Sequence, residues 1–120
     1  MSAPEAQAGV AYKIIAAGEW DGIVADGAYA GSEVDHADGY IHLSTGDQFA
    51  ETAAKHYAGR ADLLCLTVDL TALGETVVWE PSRGGQLFPH IYGPLPIAAV
   101  TGRRRFAVEA DGAVRFEDAA

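Results

Sequence analysis

Four consecutive apolar residues, Leu63-Leu64-Cys65-Leu66, lie in the middle of a strand pattern that runs from Ala61 to Leu70. Successive side chains of a strand point to opposite faces of its sheet. An unbroken apolar run of strand length is therefore buried on both faces. The chain around it has 120 residues, one domain's worth, enough to bury roughly two-thirds of its unfolded surface. Residues 1–10 carry Ala, Gly and Pro without periodicity and read as a mobile tail, as does the terminal Glu-Asp-Ala-Ala. Residues 11–118 read as a single α+β domain with no internal repeat and no linker.

The remaining elements follow from local signals. Tyr12 to Ala16 is a short apolar strand, and a helix over about 19–26 ends at Gly27. The Gly-, Ser- and Asp-rich stretch from Tyr29 to Gly39 reads as irregular. Gly39 to Ser44 is a strand with Tyr40, His42 and Ser44 on one face. Thr45-Gly46-Asp47-Gln48 is a capping-box pattern, in which the Thr45 hydroxyl accepts from the Gln48 amide. It opens a helix over 46–58 with Phe49, Ala53 and Tyr57 on its apolar side. Later strands are expected at 76–80, 97–100, 102–109 and 113–116, with Asp111-Gly112 as a hairpin turn. Two helices and six to eight strands imply an α+β fold around a curved, mixed or antiparallel sheet.

Charge narrows the function classes. Eight basic residues against 17 acidic ones give a net charge of −9, which repels nucleic acid and anionic membranes. No apolar stretch is long enough to span a bilayer, and no signal-peptide pattern opens the chain. The single cysteine, Cys65, makes no internal disulfide, and the expected compartment is the cytoplasm.

Two segments concentrate chemistry. His42 and Ser44 share a strand face just ahead of a helix N-terminus, a natural place for an anion or carbonyl oxygen. Thr45 either caps that helix or borders the same site. Phe88-Pro89-His90-Ile91-Tyr92-Gly93-Pro94 is stiffened by its prolines and aims His90 and Tyr92 the same way. Glu80, at the end of Val77-Val78-Trp79-Glu80, is a general base, an orienter of a histidine, or a surface partner of Arg83. Trp79 reads as core. His42, His90 and Glu80 could also form a two-histidine, one-carboxylate metal set, although no close His-x-His spacing supports it. His36 reads as a surface residue, His56 as surface or half-buried, Cys65 as an inert buried thiol, and Arg103-Arg104-Arg105 as a solvated edge.

Tyr12-Lys13-Ile14, Gly39 to Thr45, Trp79-Glu80 and Phe88 to Leu95, in that order, resemble the bacterial domain-of-unknown-function 952 family over about residues 12–108. A more distant likeness is to the ADP-ribosyltransferase fold, and that resemblance implies that the sheet is split. There, a strand bearing Tyr or His and then a small or hydroxyl residue runs into a helix, as Gly39 to Thr45 does here. The resemblance implies that Lys13 contacts a ribose hydroxyl or phosphate, His42 meets a ribose–nicotinamide-like group and Ser44 lines the pocket. It puts His90 where those transferases carry a catalytic Glu. The expected ligand is NAD, a related nucleotide or another phosphorylated small molecule. His42, His90 and Glu80 would act in transfer or hydrolysis, with Lys13, Ser44, Thr45, Tyr92 and Arg83 holding the ligand. The alternatives are a non-catalytic ligand-binding module and a metal-dependent enzyme.

Overall fold

A computed structural model describes residues 9–81 and 85–117. In chain order the elements are β1 (Val10–Ala16), α1 (Trp20–Asp26), β2 (Ala28–Tyr29), α2 (Glu33–Asp38), β3 (Ile41–His42) and α3 (Gly46–Tyr57). They continue with β4 (Leu63–Asp69), β5 (Val77–Pro81), β6 (Leu87–Ile91), β7 (Leu95–Pro96), β8 (Val100–Val108) and β9 (Val114–Phe116). The fold is α+β, and every strand pair among the described residues is antiparallel.

Three sheets form. The first has the order β1-β4-β8-β9, the second pairs β2 with β7, and the third has the order β3-β6-β5. Strand β4 is interior to the first sheet, and its alternation assigns the apolar run to two cores. Leu63 and Cys65 join Tyr12, Ile14, Phe49, Ala53, Phe106 and Val108 beneath α3. Leu64, Leu66 and Val68 turn the other way, onto Ala11, Ile15, Ile23, Ile41, Leu43, Ile91 and Leu95. Each face of β4 thus has its own layer, as a fully apolar strand requires. An isolated bridge between Tyr12 and Ser44, closed by two backbone hydrogen bonds of 2.7 and 2.9 Å, joins the first sheet to the segment leading out of β3.

Several expectations are corrected. Among the described residues there are three α-helices rather than two, because Tyr29 to Gly39 contains α2. Ser32 caps that helix, its hydroxyl accepting from the Asp35 amide while Asp35 accepts from the Ser32 amide. The side-chain and backbone bonds are local, so six residues suffice without a long apolar stripe. Residues 97–99 form a 3-10 turn instead of a strand, and Val10, expected in the tail, pairs with Asp69. Trp79 is 47% exposed rather than core, because β5 is the outer strand of its sheet. Among the described residues, no helix is long and apolar enough to cross a membrane.

Candidate functional site

The third sheet pairs His42 of β3 directly with His90 of β6, and His90 in turn with Val78 of β5. Directly paired residues of neighbouring strands project from the same face. The two imidazoles therefore meet although 48 positions separate them in sequence, with ring centroids 5.4 Å apart at 70°. Tyr40 lies against both. Its ring stacks on His90 at 4.0 Å and 20°, and sits 4.8 Å from His42 and 5.3 Å from Tyr92.

Each histidine is held by a carboxylate. His90 Nδ1 donates to Glu80 Oε1 at 2.7 Å, and the Tyr92 hydroxyl donates to both oxygens of Glu80 at 2.9 and 3.0 Å. The bonds from His90 and then Tyr92 hold the Glu80 carboxyl below its ordinary range. Accordingly, the Tyr92 phenol is raised, chiefly by its bond to Glu80. Glu80 therefore faces a histidine and a tyrosine. Arg83, its expected surface partner and a candidate ligand contact, lies outside the described residues.

His42 Nδ1 donates to Asp35 Oδ1 at 2.6 Å, and Nε2 to Asp38 Oδ2 at 2.8 Å. Asp35 is 2% exposed and collects further bonds from Lys13 Nζ at 2.9 and 3.2 Å, from the His42 amide at 3.1 Å and from the Ser32 amide at 2.8 Å. Burial pushes its carboxyl up, but the His42 hydrogen bond, the Lys13 charge and the Ser32 amide outweigh it and hold the group far below the usual carboxylate range. For Lys13 the balance is the reverse. Burial of its ammonium dominates and lowers its pKa, with Asp35 offsetting only part of the shift.

Three expected ligand contacts take other roles. Lys13 is buried and paired with Asp35. Ser44 is buried, and its hydroxyl donates to Thr52 at 3.0 Å. Thr45 starts α3 without its hydroxyl. Its amide donates to Gln48 Oε1 at 3.0 Å, and the Gln48 amide donates to its carbonyl at 3.1 Å. Gln48 Nε2 also donates to the Leu87 carbonyl at 2.8 Å, tying the start of α3 to β6.

A cavity of about 510 Å³ lies on the Tyr40 side of the cluster, walled by Ala30, Asp35, Ile41, Tyr40, Gly93 and Pro94 together with His36 and Gly39. Neither histidine of the pair borders it, so the hollow is displaced from where the sequence alone puts it. A Cβ on Gly39 or Gly93 would meet no atom within 4 Å. Among the described residues, no group of three or more His, Cys, Asp or Glu side chains is arranged to hold a metal ion. His90 with Glu80 and His42 with Asp35 form two separate imidazole–carboxylate arms rather than a convergent ligand set.

Other side chains have structural roles. His36 is exposed and bonds the Ala30 carbonyl at 2.8 Å. The Cys65 thiol is buried and pushed up to about 12. Arg103 lies over Trp20, Arg104 over Phe116, and Arg105 pairs with Asp62, so the three arginines serve different neighbours. Sequence reasoning misses Asp35, Asp38 and the central place of Tyr40. The Ser32-Glu33-Val34-Asp35 spacing is the one signal that points to Asp35.

A family model described as protein of unknown function DUF952 matches residues 14–103. The crystal structure of protein CC0527 from Caulobacter crescentus matches with 48% identity and a TM-score of 0.83, over 88% of this chain and 93% of that one. The solution structure of the same protein matches with 49% identity and a TM-score of 0.76, over 87% and 90%. Among curated proteins, no relative matches the chain.

Proposed function

The chain belongs to the DUF952 family, and from the chemistry of its imidazole–carboxylate cluster we propose that it binds NAD or a related nucleoside and cleaves the bond between ribose and a cationic ring. The observation that carries this reading is the Glu80 carboxylate, 2.7 Å from His90 Nδ1. In the distant likeness to ADP-ribosyltransferases, His90 replaces a catalytic Glu and cannot itself supply a fixed negative charge. Glu80, from the neighbouring strand, supplies that charge beside it. The likeness implies motif positions for Lys13, His42 and His90, and all three belong to one connected cluster.

The surrounding chemistry suits a cationic heterocycle. Asp38 and Glu80 provide negative charge at the surface, and Tyr40 and Tyr92 provide aromatic faces. The nucleoside end of such a ligand, rather than its diphosphate, belongs at this cluster, because Lys13 is already paired and the net charge is −9. The cavity beside Tyr40 has room for a ring. In the reaction, the glycosidic C–N bond breaks and its electron pair leaves with the ring, which becomes neutral. Water or another acceptor oxygen forms the new C–O bond and gives its proton to His90 Nε2, while Glu80 stabilises the developing positive charge on the ribose. The proposed setting is the cytoplasm, where the buried Cys65 thiol remains reduced.

The test is purified protein incubated with NAD, with nicotinamide release followed by chromatography. Melting curves are recorded in parallel with NAD, ADP-ribose and nicotinamide. Release that is abolished in a folded His90→Ala variant supports the reading. A raised melting temperature without release makes the chain a binding module. Neither release nor stabilisation overturns the proposal.

A further inference from the structure

Asp35 is the most heavily bonded buried polar side chain around the cluster, and the substrate reading gives it no direct part. It sits on α2, between Lys13 of β1 and His42 of β3, and so joins the two larger sheets through side chains. Its Oδ1 accepts from Lys13 Nζ, from the His42 amide and from His42 Nδ1, while its Oδ2 accepts from Lys13 Nζ and the Ser32 amide. A carboxylate bonded to both the backbone and the ring of one histidine fixes that ring's position as well as its proton. We propose that Asp35 is a positioning residue, which holds a proton on His42 Nδ1 so that Nε2, bonded to the exposed Asp38, is the nitrogen that gives up its proton in the neutral ring. The catalytic role that the sequence resemblance implies for His42 rests on the NAD reading, but the tautomer assignment can be tested without it.

The geometry supports this in three ways. Lys13 holds a compensating positive charge beside Asp35, so the carboxylate stays an acceptor and cannot donate a proton to Nδ1. Ser32 and the short helix α2 fix the backbone of Asp35, leaving the carboxylate little freedom to turn away. At Nε2, the partner is Asp38, which is 48% exposed on its side chain and on the last turn of α2. One nitrogen is thus anchored in the interior while the other meets a displaceable surface group. A buried carboxylate orienting an imidazole in this way is the logic of a catalytic triad's third member.

Substitution with asparagine distinguishes orientation from simple packing. In Asp35→Asn, Lys13 and the Ser32 amide draw the side-chain amide oxygen, breaking the bond from the His42 backbone amide and leaving the side-chain amide nitrogen to face His42. That nitrogen donates, so Nδ1 must accept and the ring proton moves to Nε2. The experiment is long-range 15N–1H correlation of the histidine rings in ligand-free protein, read on the neutral form of each ring. The expected result is a proton on His42 Nδ1 in the parent and on Nε2 in Asp35→Asn. A parent ring protonated on Nε2 overturns the proposal even if the variant fails to fold, as does an unchanged pattern in a folded variant. In the NAD assay, kcat should fall at least ~100-fold with KM held. Variant turnover at the parent rate also overturns the proposal. If the parent has the Nδ1 proton but releases no nicotinamide, the NAD reading fails and the positioning role of Asp35 stands.

Discussion

Glu80 shows how one surface carboxylate can be fixed without burial. His90 donates to one oxygen and Tyr92 to both, so the group has a single orientation although its side chain is 34% exposed. Glu80→Gln keeps the size and removes the charge. If Glu80 stabilises a cationic transition state, nicotinamide release should fall about 100-fold or more while the melting temperature moves little. Steady-state kinetics and a melting curve on the same preparation test this, and undiminished release would exclude the charge role. The sequence makes Glu80, His90 and Tyr92 visible as candidates because each lies in a stiff or extended segment, where side-chain direction follows from parity. Lys13 is equally visible, but its partner is not. Parity places it on a face, and cannot say that a carboxylate 22 positions away would claim it.

At the scale of elements, α2 is the piece on which the cluster depends. It supplies Asp35 and Asp38, and it is only six residues long. Its start is crowded, since a Cβ on Gly31, already at φ +109°, would lie 3.1 Å from the Asp35 Cβ. Ser32→Ala should destabilise the protein by about 1 kcal/mol, the usual cost of losing an N-cap. Urea denaturation measures that loss, and a value near zero would mean the cap does not set the position of Asp35. The helix is hidden in the sequence because six largely polar residues have no apolar period. Helix α3 and strand β4 are legible for the opposite reason. One has a spaced apolar side ending in Tyr57, and the other an unbroken run whose two faces feed separate cores. The register that brings His42 opposite His90 depends on a long-range pairing of β3 with β6, which no local pattern encodes.

For the whole molecule, Asp35 ties stability to pH. Its folded-state pKa lies below the ordinary value of 3.8, so the folded protein binds fewer protons than the unfolded chain as acid is added. The stability it contributes is complete above that ordinary value and declines as pH falls through and below it. Glu80, lowered from 4.5, acts in the same direction, though it is more exposed. Losing one partner of a buried ion pair costs about 3–5 kcal/mol, because the other charge remains without compensation. Asp35→Asn should therefore be markedly less stable at pH 7, where Lys13 is left buried with a neutral neighbour. As pH drops toward 3, the parent loses part of the contribution of its carboxylate and the variant has none to lose, so the gap between the two urea midpoints should narrow. Midpoints measured at pH 7, 5, 4 and 3 give the comparison. A gap that stays constant across that range would show that the link from Lys13 through Asp35 to His42 holds the sheets together by shape and hydrogen bonding, with its charge making no difference.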